Sequence, residues 1–137
     1  MSEPRWHVWA MRGARWLIAA LFAGGAAQKA VSPGQVEALL IGMRLPAWLV
    51  WPVTFYDAAA ALALIVGWRV TPVALSLAAY CGFTSVFHFL PDDPWQMTIF
   101  VKNWAIAGGC LALAIAADRP RGPVTTSAPP RSREGAR

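Results

Sequence analysis

Charged residues are scarce in this sequence, and acidic ones are the scarcest. Of its 137 residues only 14% are charged, with 7 Asp or Glu against 12 Lys or Arg. Soluble domains carry a charge at about 25% of their positions, and the mean hydropathy here is +0.44. This composition excludes an ordinary water-soluble domain and predicts a single polytopic membrane domain.

Cysteine and histidine are also rare, which excludes most metal and haem chemistry. Cys81 and Cys110 lie in apolar stretches and have no metal-ligand spacing, so we expect both to be small buried residues. The alternative is that they form a redox pair within the membrane. His7 and His88 fall on opposite sides of the predicted membrane, so they offer no bis-histidine haem site. Neither a nucleophile elbow nor a phosphate-binding loop, dinucleotide fingerprint or zinc motif is present. We therefore expect no catalytic activity from this chain alone.

Apolar runs of helical length predict an all-α fold, a bundle of four transmembrane helices. The spans cover about residues 16–30, 47–67, 70–90 and 94–117, and the tight turn at 68–70 makes the second and third antiparallel neighbours. A short interfacial helix at 32–43 lies between the first two spans. Its predicted start has Ser32 as N-cap, Pro33 at the first helical position and Gln35 completing a capping box. Asp93, with Gln96 three residues later, gives the same start signal for the fourth span.

Arginine placement predicts the topology. Residues 1–15 form an interfacial segment and residues 16–117 the membrane domain. The tail 118–137 is rich in Pro, Ser, Arg and Gly, so it should be disordered. Most arginines near the spans lie on the side of the termini, which places both termini in the cytoplasm. The net charge of +5 then reflects juxtamembrane arginine facing the lipid bilayer, not binding to nucleic acid.

Small residues spaced by four predict close helix packing. The third span has such a stripe at Ala74, Ala78 and Gly82. The fourth span has another, formed by Ala105, Gly108 or Gly109, Ala112 and Ala116.

One carboxylate, Asp57, lies in the middle of the second span. A lone carboxylate there costs about 2.5–3.5 kcal/mol, so it needs a partner. That partner is Lys102 or Lys29, and the sequence does not choose between them. The charged, amide and histidine side chains within the spans all fall in the outer half, which predicts a cofactor-binding pocket there, opening outward. Its predicted lining is Gln28, Lys29, Asp57, His88, Gln96, Lys102 and Asn103, with Gln28 and Asn103 satisfying the carboxylate.

Several short motifs, in order, resemble the DoxX family of small four-helix bacterial membrane proteins. They are Leu21-Phe22-Ala23-Gly24-Gly25 with Gln28-Lys29, then Gly42-Met43-Arg44-Leu45-Pro46, an acidic residue ahead of Leu64-Ile65-Val66-Gly67, Phe87-His88-Phe89, and Phe100-Val101-Lys102-Asn103 with Gly108-Gly109. The family usually has glutamate where this chain has Asp57. The resemblance implies a multi-pass protein of the bacterial cytoplasmic membrane that is associated with redox enzymes.

Two functions follow as expectations. The first is a membrane subunit or anchor of a quinone-linked redox complex, whose outer pocket receives a quinone. The alternative is a structural or assembly protein without a small ligand, in which the polar residues serve only helix packing. The expected partners are the lipid bilayer, a redox-enzyme subunit and further copies of the chain.

Overall fold

The computed structural model describes residues 5–118, and every regular element in that range is helical. Four long helices are α1 (Arg5–Val31), α3 (Val50–Val66), α4 (Val70–Ser85) and α5 (Pro94–Asp118). A short helix, α2 (Gly34–Gly42), follows α1, and 3₁₀ turns at Ala47–Leu49 and Val86–His88 extend α3 and α4. The predicted disordered tail, apart from Asp118, lies outside the described residues, as do residues 1–4.

The N-terminal helix is longer than the predicted first span. It starts at Arg5 and continues through Trp16 without a break to Val31, so the predicted interfacial segment and span are one helix. Its 27 residues correspond to about 40 Å at 1.5 Å per residue. Arg5, Arg12 and Arg15 all lie in its first half.

The predicted cap of the second helix is wrong. The Ser32 amide donates to the Gln28 carbonyl oxygen at 2.8 Å, so Ser32 still belongs to the end of α1. Pro33 is the N-cap of α2, without a side-chain cap bond, and its carbonyl accepts from Val36 and Glu37 at 3.0 Å each. The cap signal at Asp93 is correct, because its Oδ1 accepts from the amides of Trp95 and Gln96 at 2.9 and 3.2 Å.

A left-handed glycine ends α3 and turns the chain into α4. Gly67 has φ of 79°, and the Trp68 amide donates to the Ala63 carbonyl at 2.9 Å, as in a Schellman motif. Arg69 also has positive φ, 46°. The resulting turn is short enough to make α3 and α4 antiparallel, as predicted.

The long helices pack as a ring in the order α1, α3, α4, α5. The closest packing joins α1 to α3 and α4 to α5, while α3 touches α4, and α5 touches α1, over smaller areas. Small and medium side chains fill the centre: Ala19, Phe22, Ala60, Ala61, Leu64, Ala74, Leu77, Ala78, Cys81, Ala107, Cys110, Leu113 and Ala114.

The predicted small-residue stripe is correct on α4 and wrong on α5. Ala74 and Ala78 are buried. On α5, however, Ala105, Gly108, Gly109 and Ala112 are exposed, and the buried face is formed by Ala107, Cys110, Leu113 and Ala114. Alanine and glycine are so frequent in α5 that a spacing of four occurs on more than one face.

The outer surface of the bundle is apolar. Phe55 is 77% exposed and Phe83 is 66% exposed, together with many other large hydrophobic side chains. Three helical segments are long and apolar enough to cross a membrane: Ala47–Val66, Val70–His88 and Pro94–Asp118. Length, composition and exposed apolar surface together indicate a helical membrane protein.

Candidate functional site

Asp57 on α3 forms an ion pair with Lys29 on α1. Lys29 Nζ lies 2.6 Å from Asp57 Oδ2. Asp57 lies in the middle of the helical segment 47–67, ten residues from Ala47 and ten from Gly67. It is therefore about 15 Å from either end of the segment. Lys29 lies in the last turn of α1, and the close packing of α1 on α3 brings the two side chains together. The partner is thus Lys29 and not Lys102.

The two members of the pair are buried unequally. The Asp57 side chain is 2% exposed, whereas that of Lys29 is 19% exposed. The carboxylate is enclosed by protein, and the lysine side chain reaches it from nearer the surface. Each charge lowers the desolvation cost of the other. If the pair were broken, the long lysine side chain could extend its ammonium group to water, whereas the carboxylate could not.

Gly25 lies directly beside this pair. It precedes Lys29 by four residues, so both lie on the same face of α1. A β-carbon at position 25 would lie 3.6 Å from Lys29 Nζ and 3.9 Å from Asp57 Oδ2. Sequence reasoning missed this contact, although a glycine one helical turn before a lysine was a signal for it.

The second carboxylate oxygen, Asp57 Oδ1, has no hydrogen-bond partner. Within residues 5–118, two buried side-chain polar atoms lack a hydrogen-bond partner, Asp57 Oδ1 and Arg15 Nε. The predicted satisfaction of the carboxylate by Gln28 and Asn103 is therefore wrong. Buried polar atoms are rarely left without a partner, and the phenol of Tyr80 is a protein donor beside this carboxylate.

Aromatic side chains lie between this carboxylate and the surface. The ring centroid of Tyr80 is 5.1 Å from that of Tyr56 and 6.2 Å from that of Phe22. The Tyr80 phenol lies beside the Asp57 carboxylate and is, after Lys29, a second donor available to it. Sequence reasoning did not single out either tyrosine, because each is an ordinary aromatic residue within an apolar span.

Tyr56 and Tyr80 also line an open groove of about 550 Å³ between α3 and α4. Its other lining residues are Leu49, Pro52, Val53, Ser76, Ala79 and Phe83. The Tyr56 hydroxyl lies 2.8 Å from Ser76 Oγ, which itself donates to the Val73 carbonyl. Because Ser76 has a single hydroxyl proton, Tyr56 is the donor in their bond.

His88 and Gln96 form a second, separate polar pair. His88 Nδ1 lies 2.7 Å from Gln96 Oε1. An amide oxygen only accepts, so Nδ1 is the donor in this bond. The Asp93 cap fixes the first turn of α5 and with it the position of Gln96.

The remaining predicted site residues do not join either pair. Gln28 and Lys102 are exposed, and Asn103 is half-buried. Lys102 Nζ lies 6.0 Å from the ring centroid of Trp95, back toward the start of α5. The seven residues predicted to line one pocket are therefore divided between two pairs and three outlying positions.

Both cysteines are free and buried, as expected for small core residues. No group of three metal-ligating side chains occurs within the part of the chain that the structure describes. Comparisons with family models, with curated proteins and with solved structures find no match for this chain. The resemblance to the DoxX family thus stays a prediction.

Proposed function

We propose that the chain crosses the bacterial cytoplasmic membrane four times, with both termini in the cytoplasm. Three crossings are the apolar segments Ala47–Val66, Val70–His88 and Pro94–Asp118. The remaining one is the second half of α1, which packs along α3 and shares the buried ion pair with it. The arginines in the first half of α1 lie at the same end of the bundle as Arg69 in the α3–α4 turn, because the Arg15 guanidinium lies against Gly67 in that turn. This distribution favours that end as the cytoplasmic one.

Within this topology, we propose that the protein is the membrane subunit or anchor of a quinone-linked redox complex. The observation that carries the proposal is the groove between α3 and α4. Its volume of about 550 Å³ falls within the range of small-molecule sites, about 300–1,000 Å³. Its walls are mostly apolar, and it lies on the lipid-facing surface, which suits an amphipathic ligand that arrives from the bilayer.

The polar groups near the groove fit a quinone head group. The Tyr56 hydroxyl and Ser76 form a polar spot in the otherwise apolar groove wall, and the Tyr80 ring lines the same wall with its phenol beside Asp57. This arrangement differs from the predicted pocket, which opened outward beside His88. The resemblance to the DoxX family supports an association of this protein with redox enzymes, as an analogy at the level of the fold.

Native mass spectrometry on protein extracted gently from its own membranes tests this function. We expect a bound quinone, a stoichiometric redox-enzyme subunit, or both. Substituting Ala79→Trp would fill the groove at an exposed position, and bound quinone should then fall. Ala112→Trp, at an exposed position of α5, is the matched control. A homo-oligomer that carries phospholipid alone would contradict the proposal.

A structural role without a small ligand is the second candidate, and the Lys29–Asp57 pair favours it. A buried pair between two helices sets their register even when nothing binds. In that case Asp57→Asn lowers the stability of the bundle without any selective loss of quinone-linked activity. Under the first function, quinone-linked activity falls further than the amount of folded protein does.

A further inference from the structure

A second groove, about 380 Å³ in volume, runs along the outer surface of the bundle between α1 and α3. It shares no residue with the groove between α3 and α4. A furrow left empty would lose dispersion contacts along both walls, so it favours a slender apolar occupant. The walls consist largely of alanine, with Ala23, Ala27 and Ala30 on α1 and Ala58, Leu62 and Ile65 on α3.

The α1 wall of this groove belongs to a stripe that also contains an arginine. Such a stripe forms where side chains recur at helical intervals on one face. The intervals here are four, seven, four and three residues, and the members, all exposed, are Arg12, Trp16, Ala23, Ala27 and Ala30. A molecule that lies along this face of α1 therefore meets a guanidinium group at the N-terminal end of the stripe.

Arg15 lies where the groove reaches the turn between α3 and α4. A β-carbon at Gly67 would be 2.7 Å from Arg15 Nη1 and 3.6 Å from Nη2, so the guanidinium group lies against that turn. The groove residue Ile65 precedes Gly67 by two positions, and Arg69 follows it by two. One end of an apolar groove is thus bordered by arginines from two elements of the fold.

Carboxylates do not neutralise these arginines within residues 5–118. The one ion pair in this range joins Lys29 to Asp57. Asp118, exposed at the end of α5, is the one carboxylate of this range at the same end of the bundle. The arginine end therefore carries net positive charge, which favours an anionic occupant.

Tryptophans indicate that the arginines lie at the membrane surface. Arg12 lies over the Trp9 ring and Arg69 over the Trp68 ring, 5.3 and 5.6 Å from the ring centroids. Both tryptophans are exposed, as is typical at the depth of lipid head groups. Positive charge at this depth beside an apolar groove matches a phospholipid better than a free phosphate ion, which would leave the groove empty.

We infer that an anionic phospholipid of the cytoplasmic leaflet binds here, with its phosphate on Arg12 and Arg15 and one acyl chain along the groove between α1 and α3. One leaflet provides about 15 Å of hydrocarbon, half of a core of about 30 Å. Ala58 is nine residues from Gly67, or about 14 Å, so a chain that starts at the turn reaches it. The inference goes beyond the proposed redox function, because it needs the membrane crossing but no quinone.

Thermal unfolding of the full chain, stripped of lipid in a neutral detergent, tests the inference. A molecule that binds the native state raises the unfolding temperature with dose. The probes are phosphatidylglycerol and phosphatidylcholine with the same oleoyl chains, and glycerol phosphate, which has no chains. We expect half-maximal stabilisation by phosphatidylglycerol at a mole fraction at least about tenfold below that of phosphatidylcholine. Glycerol phosphate should not stabilise the protein.

Variants locate the two parts of the lipid. Arg12→Gln, at an exposed position, should reduce the preference for phosphatidylglycerol about fivefold, and adding Arg15→Gln should abolish it. Arg44→Gln, at the opposite end of the bundle, is the matched control and should keep the preference. Ala58→Trp fills the groove and should weaken phosphatidylglycerol binding about tenfold, as the loss of two buried methylenes would. Ala59→Trp, at an exposed position outside the groove, should leave binding unchanged.

The outcomes are distinct from those that test the redox function. Equal stabilisation by the two phospholipids overturns the inference, as does a preference that survives the loss of both arginines. If glycerol phosphate stabilises the protein as strongly as phosphatidylglycerol does, the occupant is a soluble phosphate compound and the lipid site is wrong. Native protein that carries phosphatidylglycerol but no quinone would contradict the redox function and leave this inference standing.

Discussion

Removing either member of the Lys29–Asp57 pair should destabilise the protein by an amount that depends on which member is removed. Lys29→Met leaves a carboxylate that is 2% exposed in the middle of a span, at a cost of about 3 kcal/mol. In Asp57→Asn the remaining lysine is already 19% exposed. It can turn toward the membrane surface, so we expect a smaller cost of about 1–2 kcal/mol.

The double variant removes the pair and leaves no unpaired charge. Because neutral replacements of a buried pair are often tolerated, its cost should be about 1 kcal/mol, well below the sum of the single costs. Reversible unfolding of the full chain in mixed micelles, followed by circular dichroism, gives the three free energies of unfolding. Lys102→Met is the matched control and should change the free energy of unfolding by less than about 0.5 kcal/mol. Additive costs, or a larger cost for Asp57→Asn than for Lys29→Met, would refute the reasoning.

Three further predictions concern positions whose roles the structure defines. Gly25→Val should cost about 1–3 kcal/mol by forcing a branched side chain against the ion pair, whereas Gly24→Val, with open space around it, should cost less; equal unfolding free energies would contradict this. Gly67→Ala should cost about 1–2 kcal/mol because its φ is 79°, which a denaturation midpoint can measure; an unchanged midpoint would show that the left-handed turn is not needed. Asp93→Ala should lose about 1 kcal/mol of cap energy while Ser32→Ala stays near zero, and a cost at Ser32 equal to that at Asp93 would mean that Ser32 caps a helix after all.

The capping signals show why local sequence patterns are unequal guides. Ser32 and Asp93 each precede a proline and have a glutamine three residues later. Asp93 follows a turn and is free to cap α5, whereas Ser32 is still hydrogen-bonded to α1. The same pattern therefore succeeds or fails according to where the preceding helix ends.

The sequence by itself determined that this is a helical membrane protein, where three of its four long helices lie, and that Asp57 needs a partner. Apolar runs of about 20 residues and the cost of burying charge are properties of the chain and the bilayer, so they can be predicted without neighbours. Depth along a helix also follows from the sequence, and it placed both candidate partners, Lys29 and Lys102, in the outer half of the bundle.

Only the tertiary structure decided which face of each helix is buried. Lys102 and Asn103 differ by one residue, or about 100° around the helix axis, and the packing of α5 leaves Asn103 half-buried and Lys102 exposed. The same choice of face placed Tyr80 between Asp57 and the groove and put Gly25 beside the ion pair. A rotation about a helix axis depends on contacts between helices, and in spans this uniformly apolar no pattern within a single helix determines it.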